Sequence, residues 1–173
     1  RYMAEFFGVR NLDPDRHINH SIGSKSALAM LPLCFVDPGD TVLTTVPGYP
    51  VLATHARYLG ARVVPVPLHE SNGFHPDLDA IPAAAADAAK LFYVNYPNNP
   101  TGQAATREFF ERVVEFARAN NIVVVHDAAY AALTFGDTKP LSFLSVPGAI
   151  EVGVEVQSLS KAFNMTGWRL GFI

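Results

Sequence analysis

Arg107-Glu108-Phe109-Phe110-Glu111-Arg112-Val113-Val114-Glu115-Phe116-Ala117-Arg118-Ala119-Asn120-Asn121-Ile122-Val123-Val124-Val125-His126-Asp127 changes its hydrophobic period partway along. Up to Asn120 the apolar residues Phe109, Phe110, Val113, Val114, Phe116 and Ala117 fall on one helical face. From Ile122 they become continuous and β-branched, as in a strand buried on both sides. The stretch predicts a helix over 107–120, with Thr106 before it and Glu108 in its first turn, leading into a strand that ends in the carboxylate of Asp127.

The same alternation extends in both directions. Short apolar runs at 18–22, 41–46, 62–66, 91–95, 122–126, 152–157 and 168–173 are separated by helical patterns. They predict an α/β fold, a three-layer sandwich around a mostly parallel seven-stranded sheet. Asp37-Pro38-Gly39-Asp40 reads as a turn, 82–89 as an alanine-rich surface helix, and Ser26 onward as a helix following Gly23-Ser24-Lys25.

A chain of 173 residues with a formal charge of -3 suits one domain and offers no basic stripe for nucleic acid. No apolar stretch is long enough for a membrane span, and no signal-peptide core follows Arg1. The single Cys34 lies in an apolar run and reads as a buried thiol, which fits a cytoplasmic protein. The six histidines lack metal-site spacing; His126, beside Asp127, is a candidate for a supporting role behind a site.

In open α/β sheets ligands bind beyond the carboxyl ends of the strands, and five segments fall there. Gly23-Ser24-Lys25 leads into a helix, whose free N–H groups suit phosphate. Tyr49, in Pro47-Gly48-Tyr49-Pro50, can stack on a flat ring or simply steady a turn. Asn95-Tyr96-Pro97-Asn98-Asn99-Pro100-Thr101-Gly102 is a rigid turn presenting polar side chains. Asp127-Ala128-Ala129-Tyr130 delivers a carboxylate suited to a protonated ring nitrogen, or alternatively to capping a helix. Finally, Ser158-Leu159-Ser160-Lys161 with Arg169 sets an amine nucleophile beside anion-binding groups, although a solvated loop lysine and a surface ion pair would use the same residues.

Taken together and in this order, the five segments resemble the fold type I, or aspartate-aminotransferase, superfamily of class I/II aminotransferases. The resemblance covers nearly the whole chain, from Gly23 to Arg169. It implies the large cofactor-binding domain of that fold over 1–173, with pyridoxal 5'-phosphate as cofactor. The N-terminal arm, and a C-terminal small domain that carries the arginine for the substrate carboxylate, would then lie outside this chain. By matching, Lys161 would anchor the cofactor and act as base, Asp127 would bind the pyridine nitrogen, and Tyr130 and Asn99 would reach the phenolic oxygen. Tyr49 would stack on the ring, and Ser24, Lys25, Ser158, Ser160 and Arg169 would hold the phosphate.

Within the superfamily, Ile22-Gly23-Ser24-Lys25, Leu31-Pro32-Leu33, Asp37-Pro38-Gly39-Asp40, Pro47-Gly48-Tyr49-Pro50-Val51 and residues 72–82 look most like LL-diaminopimelate aminotransferases. The implied partners are small amino acids and 2-oxo acids, with a homodimer as the assembly. Two alternatives share these residues: a β-lyase on the same fold, which Thr101 disfavours, and an aminotransferase-like effector domain of a transcription regulator.

Overall fold

Seven strands were expected and seven are present in the computed structural model, which describes residues 1–173. They are β1 (His20–Ser21), β2 (Thr41–Val46), β3 (Arg62–Pro67), β4 (Ala89–Asn95), β5 (Val123–Asp127), β6 (Gly153–Ser158) and β7 (Gly171–Phe172). They form one sheet in the order β1-β7-β6-β5-β4-β2-β3. Strands β2 to β6 are mutually parallel, and β7 and β1 close the far edge antiparallel. Because β3 lies outside β2 while β4 lies inside it, the direction of winding reverses at the β2/β4 boundary, where a crevice opens beyond the strand ends.

The eight helices are α1 (Tyr2–Phe7), α2 (Pro14–His17), α3 (Gly23–Phe35), α4 (Val51–Tyr58), α5 (Ala83–Ala88), α6 (Arg107–Asn120), α7 (Ala149–Val152) and α8 (Leu159–Ala162). On one sheet face, Leu28, Leu31, Leu52 and Ala56 of α3 and α4 pack on Leu91, Tyr93, Val125 and Val156. On the other, Phe109, Phe110, Val113, Val114 and Ala117 of α6 pack on Phe92, Val94 and Val124. Helix α6 spans the expected residues, and its Thr106 side chain accepts a hydrogen bond from Phe109 N at 3.1 Å. A left-handed Asn121 ends it and turns the chain directly into the next strand.

Several expectations are corrected. Helix α3 begins at Gly23, not Ser26, and at that boundary Gly23 takes φ +67, a left-handed conformation that glycine adopts without strain. The first strand keeps only two residues of the expected 18–22. The last begins at Gly171 rather than Trp168, since 166–168 form a 3-10 turn and Arg169 takes a left-handed conformation. Cys34 is exposed, not buried: it lies one turn after the exposed Met30 and next to the exposed Leu33, on the outward side of α3. Helix α5 is only partly a surface helix, for Ala85 and Ala86 enter the core. No helix is long and apolar enough to cross a membrane.

One polar cluster lies inside the α6-side core. His126 and Glu155, both side chains fully buried, meet at 2.9 Å through Nδ1 and Oε2. The other ring nitrogen, Nε2, donates to the Tyr96 carbonyl at 3.0 Å. Both ring nitrogens therefore face oxygen atoms, one of a carboxylate and one of a backbone carbonyl. Glu155 also accepts from the Ser142 hydroxyl, the Phe143 N–H and the Gln157 amide. Burial alone would raise the Glu155 carboxyl, but the His126 hydrogen bond and charge, joined by Gln157 and Ser142, outweigh it and hold it below the ordinary glutamate value.

Removing one partner leaves the other charge buried and unpaired. Glu155→Ala is expected to cost about 3–5 kcal/mol, read as a lower urea midpoint in the protein carrying this chain. Since the folded carboxyl titrates below its unfolded value, the pair stabilises above the unfolded glutamate pKa and is lost as pH falls through the folded one. Glu155→Gln, which has no such titration, should flatten the acid limb of a stability-against-pH curve.

Candidate active site

The crevice at the strand ends holds a cavity of about 240 Å³ lined by Ser24, Tyr49, Asn95, Asn99, Asp127, Ala129, Tyr130 and Lys161. Six of these were singled out from the sequence and come from five separate segments. Helix α3 supplies Ser24, the turn after β2 supplies Tyr49, the turn after β4 supplies Asn99, the end of β5 supplies Asp127 and Tyr130, and α8 supplies Lys161.

Each is positioned by local structure. Asn95 closes β4 and donates from Nδ2 to the Asp127 carbonyl at 2.8 Å, while its Oδ1 accepts from Asn99 N at 2.9 Å. One amide thus sets both the end of β5 and the turn that carries Asn99. Asn98, buried beneath that turn, accepts from Thr101 N and from the Thr101 hydroxyl, so Thr101 braces the loop. The Lys161 Nζ lies 5.9 Å from the centre of the Tyr130 ring.

Asp127 is 3 % exposed. Its Oδ1 accepts from Ala129 N at 3.2 Å and its Oδ2 from the Tyr93 hydroxyl at 3.0 Å. Burial raises its carboxyl above the ordinary value; the Tyr93 hydrogen bond, the Ala129 N–H and the His126 charge oppose that rise. No helix follows Asp127, so its side chain steadies a turn and does not cap a helix.

Five sequence candidates lie outside the lining. Ser158 caps α8 by accepting from Ser160 N at 3.2 Å. Ser160 is buried, with its hydroxyl 3.5 Å from Arg169 Nη1, and Arg169 also donates to the Thr166 carbonyl at 2.9 Å. The guanidinium lies so near Gly23 that a Cβ there would collide with it. Ser160, Arg169 and the start of α3 therefore adjoin. Lys25 is exposed in the first turn of α3 and does not reach the cavity. His126 points to the opposite sheet face from Asp127 and acts through Glu155 and Tyr96.

Sequence reasoning did not pick out Asn95, Tyr93 or Glu155. Glu155 carried a signal, a lone carboxylate inside the apolar run Val154-Glu155-Val156. Tyr93 carried a weaker one, a hydroxyl within a core strand.

The donor set fits a flat heterocycle with an anionic tail. The lining includes a buried carboxylate, tyrosine rings, an amide and an amine. A helix start with a closely approached glycine and an arginine lies alongside.

The family model for aminotransferase class I and II matches residues 1–173. The chain is 57% identical over 172 residues to an LL-diaminopimelate aminotransferase of Methanococcus maripaludis, covering 99% of this chain and 41% of that protein. It is 56% identical to the corresponding enzyme of Methanocaldococcus jannaschii, again spanning 41% of its length. Among solved structures, substrate-bound BacF from Bacillus subtilis superposes with a TM-score of 0.95 at 40% identity, covering 99% of this chain and 43% of that one. A probable N-succinyldiaminopimelate aminotransferase from Thermus thermophilus gives 0.91 at 38% identity, with 99% and 45% covered. The chain thus spans less than half the length of the relatives it matches. With a whole-chain family match on a sheet whose strand ends converge on one cavity, this chain belongs to the class I and II aminotransferases.

Proposed function

We propose that residues 1–173 are the cofactor-binding large domain of a pyridoxal-phosphate aminotransferase. It exchanges an amino group between LL-2,6-diaminopimelate and 2-oxoglutarate, within lysine biosynthesis. The substrate assignment is supported by identity above half to relatives named for that activity. The chemistry is supported above all by one observation: Lys161, Asp127, Tyr130 and Asn99, far apart in sequence, line a single cavity.

When bound, pyridoxal phosphate supplies an electron-withdrawing ring that stabilises negative charge at the substrate α-carbon. The Asp127 carboxylate would keep the ring nitrogen protonated, with an attraction on the order of 4 kcal/mol at ~4 Å and an effective dielectric of ~20. Tyr49 would pack against the ring, and the Tyr130 hydroxyl and Asn99 amide would donate to the ring oxygen. Lys161 would anchor the cofactor through its ε-amine and, as a free amine, would carry the proton from the substrate α-carbon to the cofactor carbon that bears the imine. Ser24, Ser158, Ser160, Arg169 and the free N–H groups of the first turn of α3 would bind the phosphate.

The reading carries with it a homodimer in the cytoplasm. The outward side of α3 exposes Met30 and Leu33 at 59% and 60% together with Ile22, an apolar surface suited to a partner subunit. The lone unpaired Cys34 suits a reducing compartment.

Lys161→Ala should abolish the visible absorbance of the loaded protein while phosphate binding persists; an unchanged spectrum would remove Lys161 from its role. Asp127→Ala should lower kcat/KM by about a thousandfold, the equivalent of that ~4 kcal/mol attraction. Amino-donor screening of the protein carrying this chain should convert diaminopimelate with formation of pyridoxamine phosphate. Release of keto acid and ammonia without it would identify a lyase.

A further inference from the structure

Tyr93 is among the largest fully buried side chains of the fold, yet it carries a hydroxyl, and that hydroxyl donates to Oδ2 of Asp127 at 3.0 Å. The contact follows from sheet register. Tyr93 pairs with Val125 across the parallel β4/β5 ladder, so its ring runs along the sheet surface past Val125 and reaches the side chain two residues further on. The ring is held among Leu28, Leu91, Val125 and Val156, and it does not line the cavity.

We propose that Tyr93 is the positioning residue of the ring-binding carboxylate: its hydroxyl fixes the Asp127 rotamer from below and keeps the group's free lone pairs turned into the cavity. This rests on the reading of Asp127 given above. With Tyr93 on Oδ2 and the Ala129 N–H on Oδ1, each oxygen has one internal donor and retains a lone pair for a ligand.

The direction of donation is fixed. Burial, and then the Asp127 charge and hydrogen bond, push the Tyr93 phenol well above its usual range, so it stays protonated and can only donate. The other titratable groups around Asp127 are Tyr49, Tyr130 and Lys161 on the cavity side and His126 on the opposite face of its own strand. Unlike them, Tyr93 makes a side-chain hydrogen bond to the carboxylate.

The test is a double-mutant cycle in the protein carrying this chain. Tyr93→Phe keeps the ring and deletes one oxygen, so the core packing survives. It should weaken the dissociation constant for pyridoxal phosphate and lower kcat, each by about 10–100-fold, as for loss of a hydrogen bond to a charged group. KM for the amino donor should hold. In an Asp127→Asn background the same substitution should have little further effect on either quantity, which a merely structural role for Tyr93 would not produce.

An undiminished effect of Tyr93→Phe in that background, or none in the wild type while Asp127→Asn alone is severe, would overturn the role of Tyr93 and leave the reading of Asp127 standing. Wild-type cofactor affinity and turnover in Asp127→Asn would overturn both.

Discussion

His126 and Glu155 meet without solvent on either side chain, and through them three neighbouring strand ends are fastened together. The imidazole belongs to β5, the carboxylate to β6, and the carbonyl of Tyr96 continues β4. Ser142 and the Phe143 N–H add the segment before α7. A buried ion pair repays its desolvation only when its remaining hydrogen-bonding positions are filled, and here they are. The cost of breaking it is large, so the strand ends hold one relative position.

That constraint is expressed on the opposite face of the sheet. Side chains alternate along β5, so His126 faces α6 while Asp127 faces α3. Holding the β5 backbone from the α6 side fixes where Asp127 emerges on the other. Asn95 extends the same control, linking the Asp127 carbonyl to the backbone of Asn99. The floor of the cavity is thereby built from a charged pair behind it, an amide between strands and a phenol beneath. The groups that face the ligand can then be few and fixed.

Much of this was legible in the residues. The 107–127 stretch announces a helix and a buried strand because its hydrophobic period changes at Asn121, and the helix begins and ends where expected. The segment order was enough to suggest the family and six cavity residues. The ends of β1 and β7 and the start of α3 were not legible, since they depend on left-handed backbone at Gly23 and Arg169 and on antiparallel pairing between distant segments. Cys34 misled for a related reason: its apolar surroundings are real, but they include the outward side of α3 as well as the inward one.

The sequence by itself determined the alternation of helix and strand, the side on which each strand delivers its polar end, and the set of side chains available for chemistry. These are local properties, set by period, turn residues and side-chain type. Only the tertiary structure decided that Lys25 stays outside the cavity while Asn95 enters it, that His126 pairs with Glu155 and not with Asp127, and that Tyr93 reaches the carboxylate. Those outcomes follow from strand order and register, which bring residues about thirty positions apart within hydrogen-bonding distance, and no local pattern encodes a register.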